Sequence, residues 1–182
     1  MQRTIVTPAV LPPAALDELK QWLGITTPHD DAPLTALLRT ALAMCEAFTG
    51  TMPIASEYEE LHPVYRDWRD LSTRPVQAIT ALTAVAADGS RTPLAISAYA
   101  IDLDASGAGR FRIVDGGTAT RVAVRFSAGL APVWSALPEP LRHGIVRLAA
   151  HQHRERETSG AAPVPPAAIA ALWRPWRRLR LT

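Results

Sequence analysis

Cysteine is almost missing from this chain. Cys45 is the only one in 182 residues, which excludes an intrachain disulfide and any thiolate metal cluster built by one copy, and fits a reducing compartment. Lysine is as scarce, with Lys20 the only one, so the basic residues are nearly all arginine. In an alanine-rich chain that bias reads as compositional, and arginine number alone is discounted as evidence of function. No stretch approaches the roughly 20 apolar residues that span a bilayer. The segment from Met1 to Leu11 lacks the charged start and apolar core of a signal peptide, so the expectation is a protein made in the cytoplasm with no membrane partner.

Catalytic signatures are missing too. There is no Gly-x-Ser-x-Gly elbow, and Cys45 falls in an apolar helical stripe with no histidine nearby, as a buried small residue rather than a nucleophile. Gly107, Gly109, Gly116 and Gly117 belong to hairpin loops and not to a strand-to-helix junction, so they form no phosphate cradle. Two metal motifs start and fail. Asp102-Leu-Asp-Ala-Ser-Gly107 opens like a calcium loop, but Ile113 stands where a bidentate carboxylate belongs, and ordinary turn chemistry explains the cluster. His151 and Glu155 share a helical face, yet His153 points elsewhere and His143 adds no ligand at useful spacing. The expectation is no catalytic residue, no metal and no cofactor.

What is present is a folded chain of moderate charge. Apolar residues make up 48% and charged residues 20%, which argues for a packed core rather than disorder. The net charge is only +2, too weak a field to imply strong non-specific nucleic-acid binding.

Periodicity divides the chain. Pro12 and Pro13 introduce a helix over Ala14 to Leu23, stopped by Gly24. Asp30 and Asp31 are placed to cap a second, whose stripe is Leu34, Leu37, Leu38, Ala41, Leu42, Cys45 and Phe48, closed by Gly50. From Met52 the pattern alternates. Ser56 to Leu61, Val64 to Leu71, Val76 to Ala86 and Pro93 to Ile101 are expected strands, with Asp88-Gly89 as a turn. In Arg110 to Val114 and Arg121 to Phe126, the residues Phe111, Ile113, Val122, Val124 and Phe126 face one way and arginines the other. Pro138-Glu-Pro140 then starts a helix striped by Leu141, Ile145, Leu148 and Ala149, which turns polar toward Glu157.

The expected fold is α+β: a small helical bundle with an inserted antiparallel β-sheet and an extended C-terminal tail. Its parts are an N-terminal helical part (1–50), an inserted β subdomain (51–133), a long helix completing the bundle (134–158), and a linker with a docking tail (159–182). That tail, Trp173-Arg-Pro-Trp-Arg-Arg-Leu-Arg-Leu-Thr182, combines the residue types most enriched at binding hot spots. Two arrangements fit it. Either the proline-rich stretch from Ser159 to Pro166 holds it away for a partner, or Trp173 and Trp176 pack back on the core.

Four places in order resemble the head-tail connector (adaptor) proteins of long-tailed bacteriophages and gene transfer agents. Leu16-Asp-Glu-Leu-Lys-Gln-Trp-Leu-Gly-Ile25, with Asp30-Asp-Ala-Pro-Leu34 through Cys45-Glu-Ala-Phe-Thr-Gly50, resembles the opening helix pair. Arg74-Pro-Val76, Asp88-Gly89, Tyr99 and the strand from Val122 to Gly129 are similar to the inserted sheet of one branch. Leu137-Pro-Glu-Pro-Leu-Arg-His-Gly-Ile-Val-Arg-Leu148, with Arg154-Glu155, resembles the long helix, and Leu172 to Leu181 the C-terminal tail. The bulkier, tryptophan-rich tail and the extended proline linker depart from the family pattern.

The resemblance implies a virion structural protein at the head-tail junction of a phage or gene transfer agent particle. It implies a dodecameric ring that extends the DNA channel, with the portal protein on one side and a tail-side connector or tail terminator on the other. DNA would pass without sequence specificity. Trp173, Arg174, Pro175, Trp176, Arg177, Arg178 and Arg180 are then the expected portal-binding residues. A ring needs two different complementary surfaces on each subunit. Acidic Glu57, Glu59, Asp67 and Asp70 against basic Arg110, Arg112, Arg121 and Arg125 form a candidate pair for neighbouring copies, with cross-strand pairing inside one sheet as the alternative. The rival function is a nucleic-acid-binding accessory protein using the arginine-rich tail and sheet face.

Overall fold

In the computed structural model, which describes residues 2–155 and 165–178, the protein is α+β and divides into two compact units. One comprises residues 1–9 and 54–130, the other residues 10–53 and 131–182.

The first unit is all β. Strands β1 (Gln2–Thr7), β2 (Ser56–Pro63), β4 (Val76–Val85), β5 (Arg91–Pro93) and β8 (Arg121–Ala128) form a five-stranded sheet in the order β1-β2-β8-β4-β5. A second sheet joins β3 (Arg69–Asp70), β7 (Gly109–Ile113) and β6 (Tyr99–Leu103) in the order β3-β7-β6. The five apolar residues expected to share a face, Phe111, Ile113, Val122, Val124 and Phe126, are all buried. They belong to two sheets, however, not one. Tyr58 stacks on Phe126 at 5.8 Å and His62 meets Phe111 edge-on at 5.0 Å, so β2 contributes to both clusters.

Several strands differ from their expected spans. Only Arg69–Asp70 of the Val64 to Leu71 stretch is strand, and residues 66–70 are all exposed, so no alternating face is buried there. Pro93 to Ile101 breaks into the end of β5, a short 3-10 turn at Ile96–Ala98 and the start of β6. Strand β1 has no counterpart among the expected strands, since residues 3–8 are exposed on both faces. Gly129 fits because its amide donates to Pro75 O at 2.9 Å while a Cβ there would collide with the Ala55 backbone.

The second unit holds helices α1 (Pro13–Leu23), α2 (Asp31–Thr49), α3 (Glu139–Arg154) and α4 (Ala167–Trp173). Helix α1 begins on Pro13 and ends at Gly24, whose φ of 72° lets Ile25 N donate back to Lys20 O at 2.9 Å. Asp30 makes no side-chain cap, and Asp31 instead pairs with Lys20 at 2.7 Å, tying α1 to α2. The core is made by Leu19, Leu34, Leu38, Ala41, Cys45, Trp134, Leu141, Ile145, Leu148, Ile169 and Trp173.

Cys45 lies fully inside that core, where burial pushes its thiol up to about 12. Since the thiolate is the reactive form, Cys45 is expected to resist iodoacetamide in the folded protein and react at once in denaturant. Rapid labelling of native protein, followed by mass spectrometry, would contradict that.

Candidate interaction surfaces

The described part of the C-terminal segment packs against its own unit, which corrects the expectation of an extended tail. Pro166 precedes α4, and Arg174–Trp176 continues it as a 3-10 turn. Trp173 is fully buried. It reaches α3 because Gly144 carries no side chain; a Cβ there would overlap the indole nitrogen. That N–H donates to Leu141 O at 3.3 Å, and the ring meets Phe48 at 6.0 Å. Trp173 therefore belongs to the core.

Beyond it the segment turns outward. Arg174, Pro175 and Arg177 are exposed and Trp176 is half-buried. The Arg177 guanidinium lies 5.4 Å from the Phe48 ring centre, and Arg178 N donates to Thr49 O at 2.9 Å, so the turn is fixed to the end of α2. Arg180 and the stretch 156–164, which contains most of the expected linker, lie outside the described residues.

The sheet charges find partners inside one chain. Arg125 pairs with Glu57 at 2.6 Å, Arg91 with Glu59 at 2.9 Å, and Arg74 with Asp70 at 2.7 Å. The bond from Arg125 holds the Glu57 carboxyl below its ordinary value. Arg110 pairs with Asp102, and Arg112 covers the half-exposed Trp68 at 5.0 Å. Asp67 and Arg121 are exposed with no ion-pair partner among the described residues. Such exposed pairs contribute little to stability, but they neutralise most of the charges expected at the ring contact.

The failed metal motifs resolve locally. Asp104 accepts from Ser106 N, Ser106 Oγ and Ala108 N, a turn closed on its own carboxylate, with Ser106 holding its pKa down. His151 meets Glu155 at 3.1 Å. Among the described residues no group of three His, Cys, Asp or Glu side chains is arranged to hold a metal, and no helix is long and apolar enough to cross a membrane.

Three features were not expected from the sequence. The first is a groove of about 350 Å³ between α1 and α3, lined by Glu18, Gln21, Trp22, Glu139, Arg142 and His143 among others. Glu18 accepts from Trp134 Nε1 at 3.1 Å and faces Arg142 at 3.7 Å. Trp22 stays 45% exposed against the edge of His143, and Glu139 is exposed with no partner among the described residues. The second is Glu60, a fully buried carboxylate that accepts from His62, Ser72 and Thr73. The third is Gly144. A glycine inside a helix costs about 1 kcal/mol relative to alanine, so its presence in the α3 stripe was the available sign of a close approach.

Comparison with known proteins places this arrangement. No protein-family model matches the chain, and no curated protein does. Solved structures do. The chain is similar to one in the neck of an empty gene transfer agent particle solved with C6 symmetry, at 30% identity and a TM-score of 0.78, covering 100% of this chain and 98% of that one. It is similar to another in the neck of a native particle solved with C12 symmetry, at 30% identity, a TM-score of 0.76 and the same coverage. A chain in the virion of a native gene transfer agent matches at 29% identity and a TM-score of 0.77. The chain belongs to the family of these gene transfer agent neck proteins, structural components at the head-tail junction of the particle.

Proposed function

We propose that this chain is a head-tail connector (adaptor) subunit, and that about twelve copies close into a ring between the portal protein and a tail-side connector or tail terminator. The observation that carries the reading is the likeness over the whole length to neck chains whose particles were solved with C6 and C12 symmetry. In this role the subunit extends the DNA channel, acts structurally without catalytic or cofactor chemistry, and lets DNA pass without reading its sequence. The nucleic-acid alternative is not favoured, because three of the four sheet arginines it needs, Arg125, Arg110 and Arg112, are engaged by Glu57, Asp102 and Trp68.

Locating the subunit in images of purified particles tests the assignment. Density for it anywhere but a ring next to the portal would overturn it.

Portal docking falls to the outward turn and the residues after it, namely Arg174, Pro175, Trp176, Arg177, Arg178 and Arg180, braced by the buried Trp173. Asp67 and Arg121 remain as ring contacts from the sheet. Trp176→Ala combined with Arg177→Ala is expected to leave the circular dichroism spectrum unchanged while weakening docking by about 2 kcal/mol or more per subunit, the scale of hot-spot truncation. The readout is filled heads that lack tails. Normal tailing would place the portal contact elsewhere.

A further inference from the structure

Most of the charged sheet residues are neutralised inside the chain, so a ring has to draw on other surfaces. The helical unit offers two that its described residues leave unsatisfied. One is the groove between α1 and α3, with Trp22 45% exposed and the Glu139 carboxylate unpaired among the described residues. The other acid of the groove, Glu18, already has Trp134 and Arg142. A tryptophan left half in water beside an unpaired acid is the composition of a contact waiting for a basic partner.

The second surface is the outward face of α2. Ala32, Ala36, Ala43 and Ala47 are exposed there, and their spacing sets them on one side of the helix, opposite the buried Leu34, Leu38, Ala41 and Cys45. In the middle stands Arg39, exposed and without a hydrogen-bond or ion-pair partner among the described residues. Short side chains give this face low relief, so another surface can approach the helix closely around a single long cation.

We infer that the groove between α1 and α3 of one copy receives the Arg39 face of α2 from the next copy, with the Arg39 guanidinium on the Glu139 carboxylate and the α2 alanines over Trp22. The inference rests on the ring reading proposed for this chain and names its contact. The unpaired groups of the two surfaces, Glu139 in the groove and Arg39 on the α2 face, are opposite in charge, a low-relief helix face suits a groove, and the two lie on different helices. A contact between unlike patches is heterologous, the type that closes a ring rather than a two-fold dimer. Alanines bury little apolar area, so the contact is weak between free subunits and gains strength when a template holds neighbours together.

Charge exchange in assembled particles tests it. Arg39 and Glu139 are both exposed, so Arg39→Glu and Glu139→Arg leave the core untouched. Each alone sets like charges against each other and is expected to lower incorporation into the neck roughly tenfold, and the double exchange to restore it. In parallel, particles carrying Arg39→Cys and Glu139→Cys together are treated with a short bismaleimide; Cys45 is buried and stays silent. A ladder of subunit multiples, lacking in either single variant, is the expected result. If images show the ring intact but no ladder forms and both reversals incorporate normally, this contact is wrong and the ring reading stands. If Glu139→Arg alone impairs incorporation and the exchange does not rescue it, the groove belongs to the portal or tail-side protein and the inference fails. If the chain forms no ring in the particle, the reading on which the inference rests fails first.

Discussion

Trp173→Ala is expected to destabilise the helical unit by about 3–5 kcal/mol, the range for deleting a buried tryptophan from a packed core. The indole fills the site that Gly144 leaves open on α3, touches Phe48 of α2, and satisfies Leu141 O with its N–H. Removing it opens a cavity among three helices and takes the donor from that carbonyl. Gly144→Ala attacks the same contact from the other side, because the added methyl displaces the ring. Deleting residues 167–182 is expected to do at least as much, since Ile169 is buried as well. The check is thermal denaturation with hydrogen exchange read on α3 and α4. A truncated or Trp173→Ala protein that melts like wild type, with α3 equally protected, would mean the segment is a loose tail after all.

What was legible in the sequence was local. Pro12, Pro13 and Gly24 bound α1 because a helix start and stop are decided within one turn of chain, and Gly50 ends α2 with a φ of 68° for the same reason. The alternation of Arg121 to Phe126 marks β8 because a strand in mid-sheet keeps one face buried at every second residue. Non-local features were out of reach. That β7 and β8 lie in different sheets depends on pairings no period encodes. Helix α4 is seven residues between prolines, too short for a stripe, and it holds together through Trp173 and a glycine 29 positions earlier. The same limit hid the groove: Trp22 and Glu139 are far apart in sequence, and the exposed side of α2 reads as an ordinary solvent face until Arg39 is seen without a partner among the described residues. Charge pairing was open in both directions; in the β2–β8 register Glu59 faces Arg125 and Glu57 faces Ser127, and Arg125 reaches diagonally to Glu57 while Glu59 pairs with Arg91.

Glu60→Gln is expected to cost the β unit about 3 kcal/mol at neutral pH, the scale of losing bonds to a buried charged acceptor. Glu60 is fully buried on β2, and its carboxylate accepts from Ser72 N, Ser72 Oγ at 2.5 Å, Thr73 N and Thr73 Oγ1, with His62 Nε2 at 3.1 Å. Those donors hold the Ser72–Thr73 turn against the sheet, and Arg3 Nη1 adds a bond to Thr73 Oγ1 from β1. Burial opposes ionisation most strongly, but the bonds from His62 and Ser72 outweigh it and hold the carboxyl below its ordinary value. The sign comes from linkage: the unfolded chain takes up the proton first as pH falls, so stability drops with acid. The contribution is complete above the unfolded value of about 4.3 and is lost as pH falls through the lower folded value. A glutamine resembles the protonated acid, so wild type and Glu60→Gln should differ in urea stability at neutral pH and converge in strong acid. A gap that stays constant across that range would show that the carboxylate charge does not hold the turn.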